Sequence, residues 1–170
     1  KGLGKRVTYN DALRANEQVG IALIENDRVR MRLETIAGVL RVDGRRRYPT
    51  LIADTFAGIY FTDEENAWLD RVCVHIARIA CRYERAIAWY GLFQAALAKR
   101  PYNLFHRRNL YMRTADVPRS FGNKRSWDRL FAAHFEKFVR EANAAVFSGG
   151  GACRVTCGDA CAVEGAFDLV

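Results

Sequence analysis

The stretch KRVTYND, residues 5–11, decides the fold. Its β-branched and aromatic centre predicts a short strand over residues 5–9, closed by the turn-forming pair Asn10-Asp11. The apolar residues that follow, Leu13, Val19, Ala22 and Leu23, return at helical spacing and predict a helix over residues 12–26. Strand then helix is one β-α unit. A second strand is expected at the far end, where Ala152-Cys-Arg-Val-Thr-Cys157 follows the Ser148-Gly-Gly-Gly turn and stops at Gly158-Asp159. A third is expected to begin at Phe167, so that GAFDLV, residues 165–170, reads as the opening of a buried strand whose remainder lies beyond Val170. The other end has neither an initiator Met nor an apolar leader, and raises the same expectation that the chain is an internal piece of something longer.

Between the strands the pattern is helical. A second amphipathic segment over residues 29–40 leads into an exposed turn, Arg41-Val-Asp-Gly-Arg-Arg-Arg-Tyr-Pro49. Thr62-Asp-Glu-Glu65 is a capping box that starts a helix. Its apolar face runs through Trp68, Leu69, Val72, Ile76 and Ile79, then resumes with Ile87, Tyr90, Leu92, Phe93 and Leu97 until Pro101. A break near residues 82–84 gives two packed helices. Residues 101–125 carry no sustained period, and Ser126 is placed to cap a helix running to about residue 147. The class is α/β with a helical middle.

Composition bounds the function. Half of the 170 residues are hydrophobic, enough for one sizeable core, and no apolar run reaches the roughly 20 residues that span a bilayer. Net charge is +8, and residues 99–129 hold nine basic residues against Asp116 and Asp128. Nearly all the excess charge therefore sits in one fifth of the chain, interleaved with aromatics, as a polyanion-binding face requires. The five cysteines, odd in number and without a secretory signal, read as reduced thiols of a cytoplasmic protein. Cys153, Cys157 and Cys161 have a suggestive spacing, but two of them on one strand would stand about 13 Å apart, too far for one zinc ion. No metal site is expected. His75 is expected to be buried and hydrogen-bonded, His134 to lie on the surface.

Two strands end in a carboxylate, Asp11 and Asp159. In open α/β sheets ligands bind beyond the carboxyl ends of the strands, where such groups can accept from a ribose hydroxyl or an adenine amino group. Asp11, just before a helix, is equally suited to cap it.

The runs Ala22-Leu-Ile-Glu-Asn-Asp-Arg-Val-Arg30, Gly58-Ile-Tyr-Phe-Thr-Asp-Glu-Glu-Asn66, Lys99-Arg-Pro-Tyr-Asn-Leu-Phe-His-Arg-Arg-Asn-Leu-Tyr111 and Arg119-Ser-Phe-Gly-Asn-Lys124 together resemble the adenine-specific DNA methyltransferases of the Dam-like class. The resemblance implies a partial Rossmann-like, S-adenosylmethionine-dependent methyltransferase sheet with a large, mainly helical DNA-recognition insert. It divides the chain into a partial core over residues 1–50, the insert over 51–147 and a return to the core over 148–170. Two family motifs have no counterpart. Pro49, Pro101 and Pro118 are the only prolines, so there is no Asp-Pro-Pro-Tyr. Phe56-Ala-Gly58 lacks the second glycine of the cofactor loop. GAFDLV then resembles the strand that delivers the catalytic motif, cut just before it, and the chain by itself is expected to be inactive.

What the resemblance implies for this chain is binding rather than catalysis. Asp11 matches the acidic strand end that takes the cofactor's ribose hydroxyls, and Asp159 the one near its adenine. Double-stranded DNA is the expected partner. Within residues 99–129, Lys99, Arg100, Arg107, Arg108, Arg113, Lys124 and Arg125 are expected on phosphates, Asn103, His106, Asn109, Ser120 and Asn123 on base edges, and Arg119 is a further expected DNA contact. A non-enzymatic DNA- or RNA-binding module remains the alternative. A nucleotide-hydrolysing enzyme is disfavoured by the absence of a Gly-Lys-Ser/Thr loop.

Overall fold

A computed structural model describes residues 1–100, 108, 110–116 and 124–168. Among these, two strands form a parallel sheet, β1 (Thr8–Asp11) and β2 (Arg154–Cys157), in register from Thr8 opposite Arg154 to Asp11 opposite Cys157. The helices are α1 (Arg14–Gly20), α2 (Leu33–Leu40), α3 (Leu51–Thr55), α4 (Asp63–Ala77), α5 (Arg82–Lys99), α6 (Tyr111–Thr114), α7 (Lys124–Asp128) and α8 (Phe131–Ala145). A wider π-type turn over Ile21–Glu25 extends α1. The chain is mixed α/β with a small parallel sheet. No helix among the described residues is long and apolar enough to cross a membrane.

The core is mostly helix against helix. Ile76, Ala86, Ile87, Phe135 and Val139 are fully buried, and α5 packs along α8 on one side and α1 on the other. Gly91 makes the α5–α8 approach possible, because a Cβ there would lie 2.7 Å from Val139 Cγ2. Gly20 does the same between α1 and the sheet, where a Cβ would meet Tyr9 Cδ1 at 2.7 Å.

Buried polar groups tie distant segments together. Glu84, 3 % exposed, accepts from the Arg32 backbone and guanidinium and from Thr35 Oγ1, which fixes α2 on α5. Asn143 brackets Met31 with both ends of its amide, at 2.8 and 2.9 Å. Glu25 joins three elements, accepting from Val155 N of β2 and from Arg82 and Tyr83 of α5.

Several expectations shift. The first strand lies later, at Thr8–Asp11, so Asn10 and Asp11 belong to it instead of closing it. Leu13, expected on an apolar face, is 62 % exposed, because it holds the extended position before α1. The break between α4 and α5 falls at residues 78–81, where Arg85 Nη1 satisfies the Ile79 carbonyl at 2.7 Å. Ser126 caps nothing: it lies inside α7, and its carbonyl accepts from His134. Leu130, in extended geometry, separates α7 from α8. Phe167 begins no strand through Asp168. The chain turns at Gly165, φ +144°, and the ring packs back over that glycine, 43 % exposed.

Candidate cofactor edge and nucleic-acid face

Parallel pairing brings the two acidic strand ends to the same edge. Asp11 closes β1, and its carbonyl accepts from Gly158 N at 3.0 Å, one residue before Asp159. Asn10 locks the edge by donating to the Gly158 carbonyl at 3.0 Å and accepting from Thr156 Oγ1 at 2.8 Å. The Asp11 carboxylate accepts from Leu13 N at 2.8 Å, Asn16 Nδ2 at 2.9 Å and the Tyr9 hydroxyl at 3.2 Å. The Leu13 amide, then Asn16, hold it below the usual carboxylate range. Asp11 therefore orders the entry to α1 and stays ionised at the sheet edge. Asp159 is exposed, and its Oδ1 accepts from Cys161 N at 2.9 Å to start a short turn over Ala160–Ala162. Two carboxylates at the same end of the sheet fit the hydroxyl and amino donors of a nucleoside.

The basic segment divides in two. Lys99 and Arg113, expected on phosphates, are turned inward, with side chains 4 % and 7 % exposed. Both pair with Glu65: Lys99 Nζ at 2.7 Å, Arg113 through two parallel bonds of 2.6 Å. Lys99 also donates to the carbonyls of Trp127 and Arg129 at 2.8 and 2.6 Å. Burial pushes the Glu65 carboxyl up, but hydrogen bonds from Arg113 and Lys99 outweigh it and hold the group below its ordinary value. These two cations are internal fasteners. Arg108, Arg125 and Arg129 are exposed, and Arg100 is half-buried. Lys124 opens α7. Asn103, His106, Arg107, Asn109, Arg119, Ser120 and Asn123 lie outside the described residues.

Comparison with known proteins bears on both features. The chain is 26 % identical over 155 residues to the type II methyltransferase M2.HphI of Haemophilus parahaemolyticus, a match covering 88 % of this chain and 45 % of that protein. The likeness supports a methyltransferase relationship. This chain spans less than half the length of that relative. No family model matches, and no solved structure matches.

His75, His134 and Cys73 have internal partners or apolar surroundings. His134 is buried, 4 % exposed, against the expectation of a surface residue. Its Nε2–H donates to the Ser126 carbonyl at 2.8 Å, and burial lowers its basicity. His75 donates from Nδ1 to the Val39 carbonyl at 2.8 Å and accepts from the Tyr48 hydroxyl at 2.9 Å, hydrogen-bonded as expected but half-buried where a buried position was expected. Cys73 lines an almost wholly apolar cavity of about 380 Å³ between α4 and α5, where burial pushes its thiol up to about 11. Among the described residues no three potential metal ligands gather.

The Glu65 hub was hidden in the sequence because Glu65 already had a role. The capping box forms as read, with Glu65 N donating to Thr62 Oγ1 at 3.3 Å and Thr62 N to Glu65 Oε2 at 3.1 Å. The same carboxylate then serves two cations 34 and 48 positions away. The available signal was the run of three acidic residues, Asp63-Glu-Glu65, ahead of a basic segment with few acids of its own.

Proposed function

We propose that this chain is part of a site-specific adenine DNA methyltransferase, which transfers the methyl group of S-adenosylmethionine to the N6 amino group of adenine. The observation that carries the reading is the likeness to a type II methyltransferase along 88 % of the chain. The paired strand-end carboxylates and the exposed arginines support it. In this reading the residues of the sheet edge belong to a Rossmann-like core, and the helices over residues 51–147 form the DNA-recognition insert. Asp11 would accept from the cofactor's ribose hydroxyls and Asp159 from its adenine amino group; the bound cofactor supplies the methyl group. The catalytic residues lie elsewhere in the parent protein, so the 170 residues alone bind DNA without methylating it.

The test is to express the complete reading frame in a host lacking adenine methylation and to analyse plasmid nucleosides. N6-methyladenine is the expected product. Methylated cytosine alone would overturn the adenine assignment, and duplex binding without methylation would favour the non-enzymatic module. Calorimetry on the 170-residue chain should show S-adenosylmethionine binding weaker than about 100 μM, since two carboxylates make few contacts. Binding in the low micromolar range would contradict the division of the cofactor site.

A further inference from the structure

Asp159 stands beyond the end of the strand ladder. The ladder closes with Asp11 opposite Cys157, and Gly158 N then donates to the Asp11 carbonyl at 3.0 Å. The peptide that follows joins Gly158 to Asp159, and glycine gives this link wide backbone freedom. A side chain of the neighbouring strand holds it: Asn10 Nδ2 donates to the Gly158 carbonyl at 3.0 Å across 148 positions of sequence. Past that point the turn is bonded to itself. Asp159 takes Cys161 N on its carboxylate at 2.9 Å and Ala162 N on its carbonyl at 3.1 Å. Asp159 and the short turn over Ala160–Ala162 therefore move as one piece, with Gly158 as the hinge and Asn10 as its stop.

The Asn10 amide is itself oriented. A carbonyl only accepts, so the amide nitrogen must face Gly158 and the amide oxygen is left towards Thr156. The Thr156 hydroxyl donates to that oxygen at 2.8 Å, while its other acceptor, the Tyr9 carbonyl, is farther off at 3.4 Å. Two hydrogen bonds thus run from Thr156 on β2 to Asn10 on β1 and back to Gly158. All three residues are half-buried, which shields the chain of bonds from water in part. Both ends of the Asn10 amide are spent inside the protein, so the residue acts on a ligand only through what it holds. Asp11 needs no such support, because Leu13 N and Asn16 Nδ2 already fix its carboxylate.

We infer that Asn10 is a positioning residue for cofactor binding: oriented by Thr156, it fixes the Gly158–Asp159 peptide and so sets where the Asp159 carboxylate stands relative to Asp11. The inference rests on the reading of these two carboxylates as the groups that meet the cofactor's nucleoside, and it deepens that reading. Its effect runs through Asp159 alone, on the adenine contact and not on the ribose contact assigned to Asp11.

The test uses the full-length parent, with S-adenosylmethionine affinity read by calorimetry and methylation kinetics read on duplex DNA. Asn10→Leu keeps the shape of the side chain, removes both hydrogen bonds and adds no charge to the edge. It should raise the cofactor Kd about tenfold, as should Asp159→Ala, and the double variant should show about the same tenfold rise, because both changes remove one contact. The cofactor KM should rise in step, while kcat at saturating cofactor stays within about twofold and the KM for DNA is unchanged. Thr156→Val frees the Asn10 amide to turn and should raise Kd by about threefold, and Thr156→Ser, which keeps the hydroxyl, should restore the parent value. This second pair decides the matter should Asn10→Leu fail to fold. An Asn10→Leu variant with a lower Tm and an unchanged Kd would make the residue merely structural, and a rise in Kd that multiplies with that of Asp159→Ala would show that it acts elsewhere; either result overturns the inference. An unchanged Kd for Asp159→Ala in a parent that methylates adenine would overturn it as well, and would leave the methyltransferase reading standing. A parent that methylates no DNA removes that reading and the inference together.

Discussion

Replacing Glu65 with glutamine is the sharpest probe of how the basic segment is held. The substitution keeps the shape and part of the capping box, but removes the carboxylate that Lys99 and Arg113 share. Both side chains are more than nine-tenths buried, so the variant leaves two cations with no counter-charge among the described residues. Aromatic faces, Phe131 at 5.3 Å from Lys99 Nζ and Phe61 at 6.0 Å from Arg113, compensate in part. Removing one partner of a buried pair costs about 3–5 kcal/mol, where an exposed pair costs at most about 1. At about 2–4 °C per kcal/mol for a chain of this size, Tm should fall by roughly 10 °C or more, with the urea midpoint lowered by about 1.5–2.5 M at an m-value near 2. Adding Lys99→Met and Arg113→Leu to Glu65→Gln should recover much of the loss, since the buried charges leave with their partner. A loss below about 1 kcal/mol for Glu65→Gln alone would show that the hub is solvated and that the two cations are free to face outward.

Two further outcomes follow from packing and titration. Gly91→Ala gains about 1 kcal/mol of helix propensity but drives a methyl against Val139 and Phe135, costing about 1–3 kcal/mol, so thermal unfolding should show net destabilisation; relief by Val139→Ala would confirm the contact, and a raised Tm would refute it. Stability should also decline on acidification in two stages, readable by urea unfolding at a series of pH values. His134, whose basicity is lowered by burial, contributes stability that is full above its ordinary value near 6.5 and lost as pH falls towards its lower folded value. Glu65, also held low, contributes stability that is full above about 4.3 and lost as pH falls through its folded value. His134→Gln should erase the upper stage and leave the lower one; a profile flat from pH 7 to 5 in the parent would contradict the burial of His134.

Local chemistry was readable where it is decided locally. The capping box at Thr62, the β-branched runs of both strands and the Gly-rich turn before β2 each follow from a few adjacent residues. The parallel sheet followed from strands separated by helices. Failures came where a distant partner decides. Lys99 and Arg113 look like any basic residues of a polyanion-binding face until Glu65 is folded beside them. Ser126 has the right side chain for a cap, but His134 takes its carbonyl and Leu130 interrupts the helix. Leu13 fits an apolar stripe by spacing, yet the Asp11 carboxylate binds its amide and sets it outside the first turn. At the candidate cofactor edge the sequence placed both carboxylates, and only the parallel register between β1 and β2 shows that they lie at the same end of the sheet.

That pairing has a kinetic consequence. β1 and β2 are separated by about 140 residues, whereas α4 and α5 are joined by four. Closing the longer loop from an open chain costs about 3 kcal/mol more in entropy, so the strands gain little from meeting until the helices between them have condensed. The helical packing around Ile87 and Phe135 is thus expected to form first and to bring the strand ends within reach, with the edge that carries Asp11 and Asp159 assembled last. Truncating Val155 in β2 should then chiefly speed unfolding, while truncating Ile87 in α5 should slow folding itself.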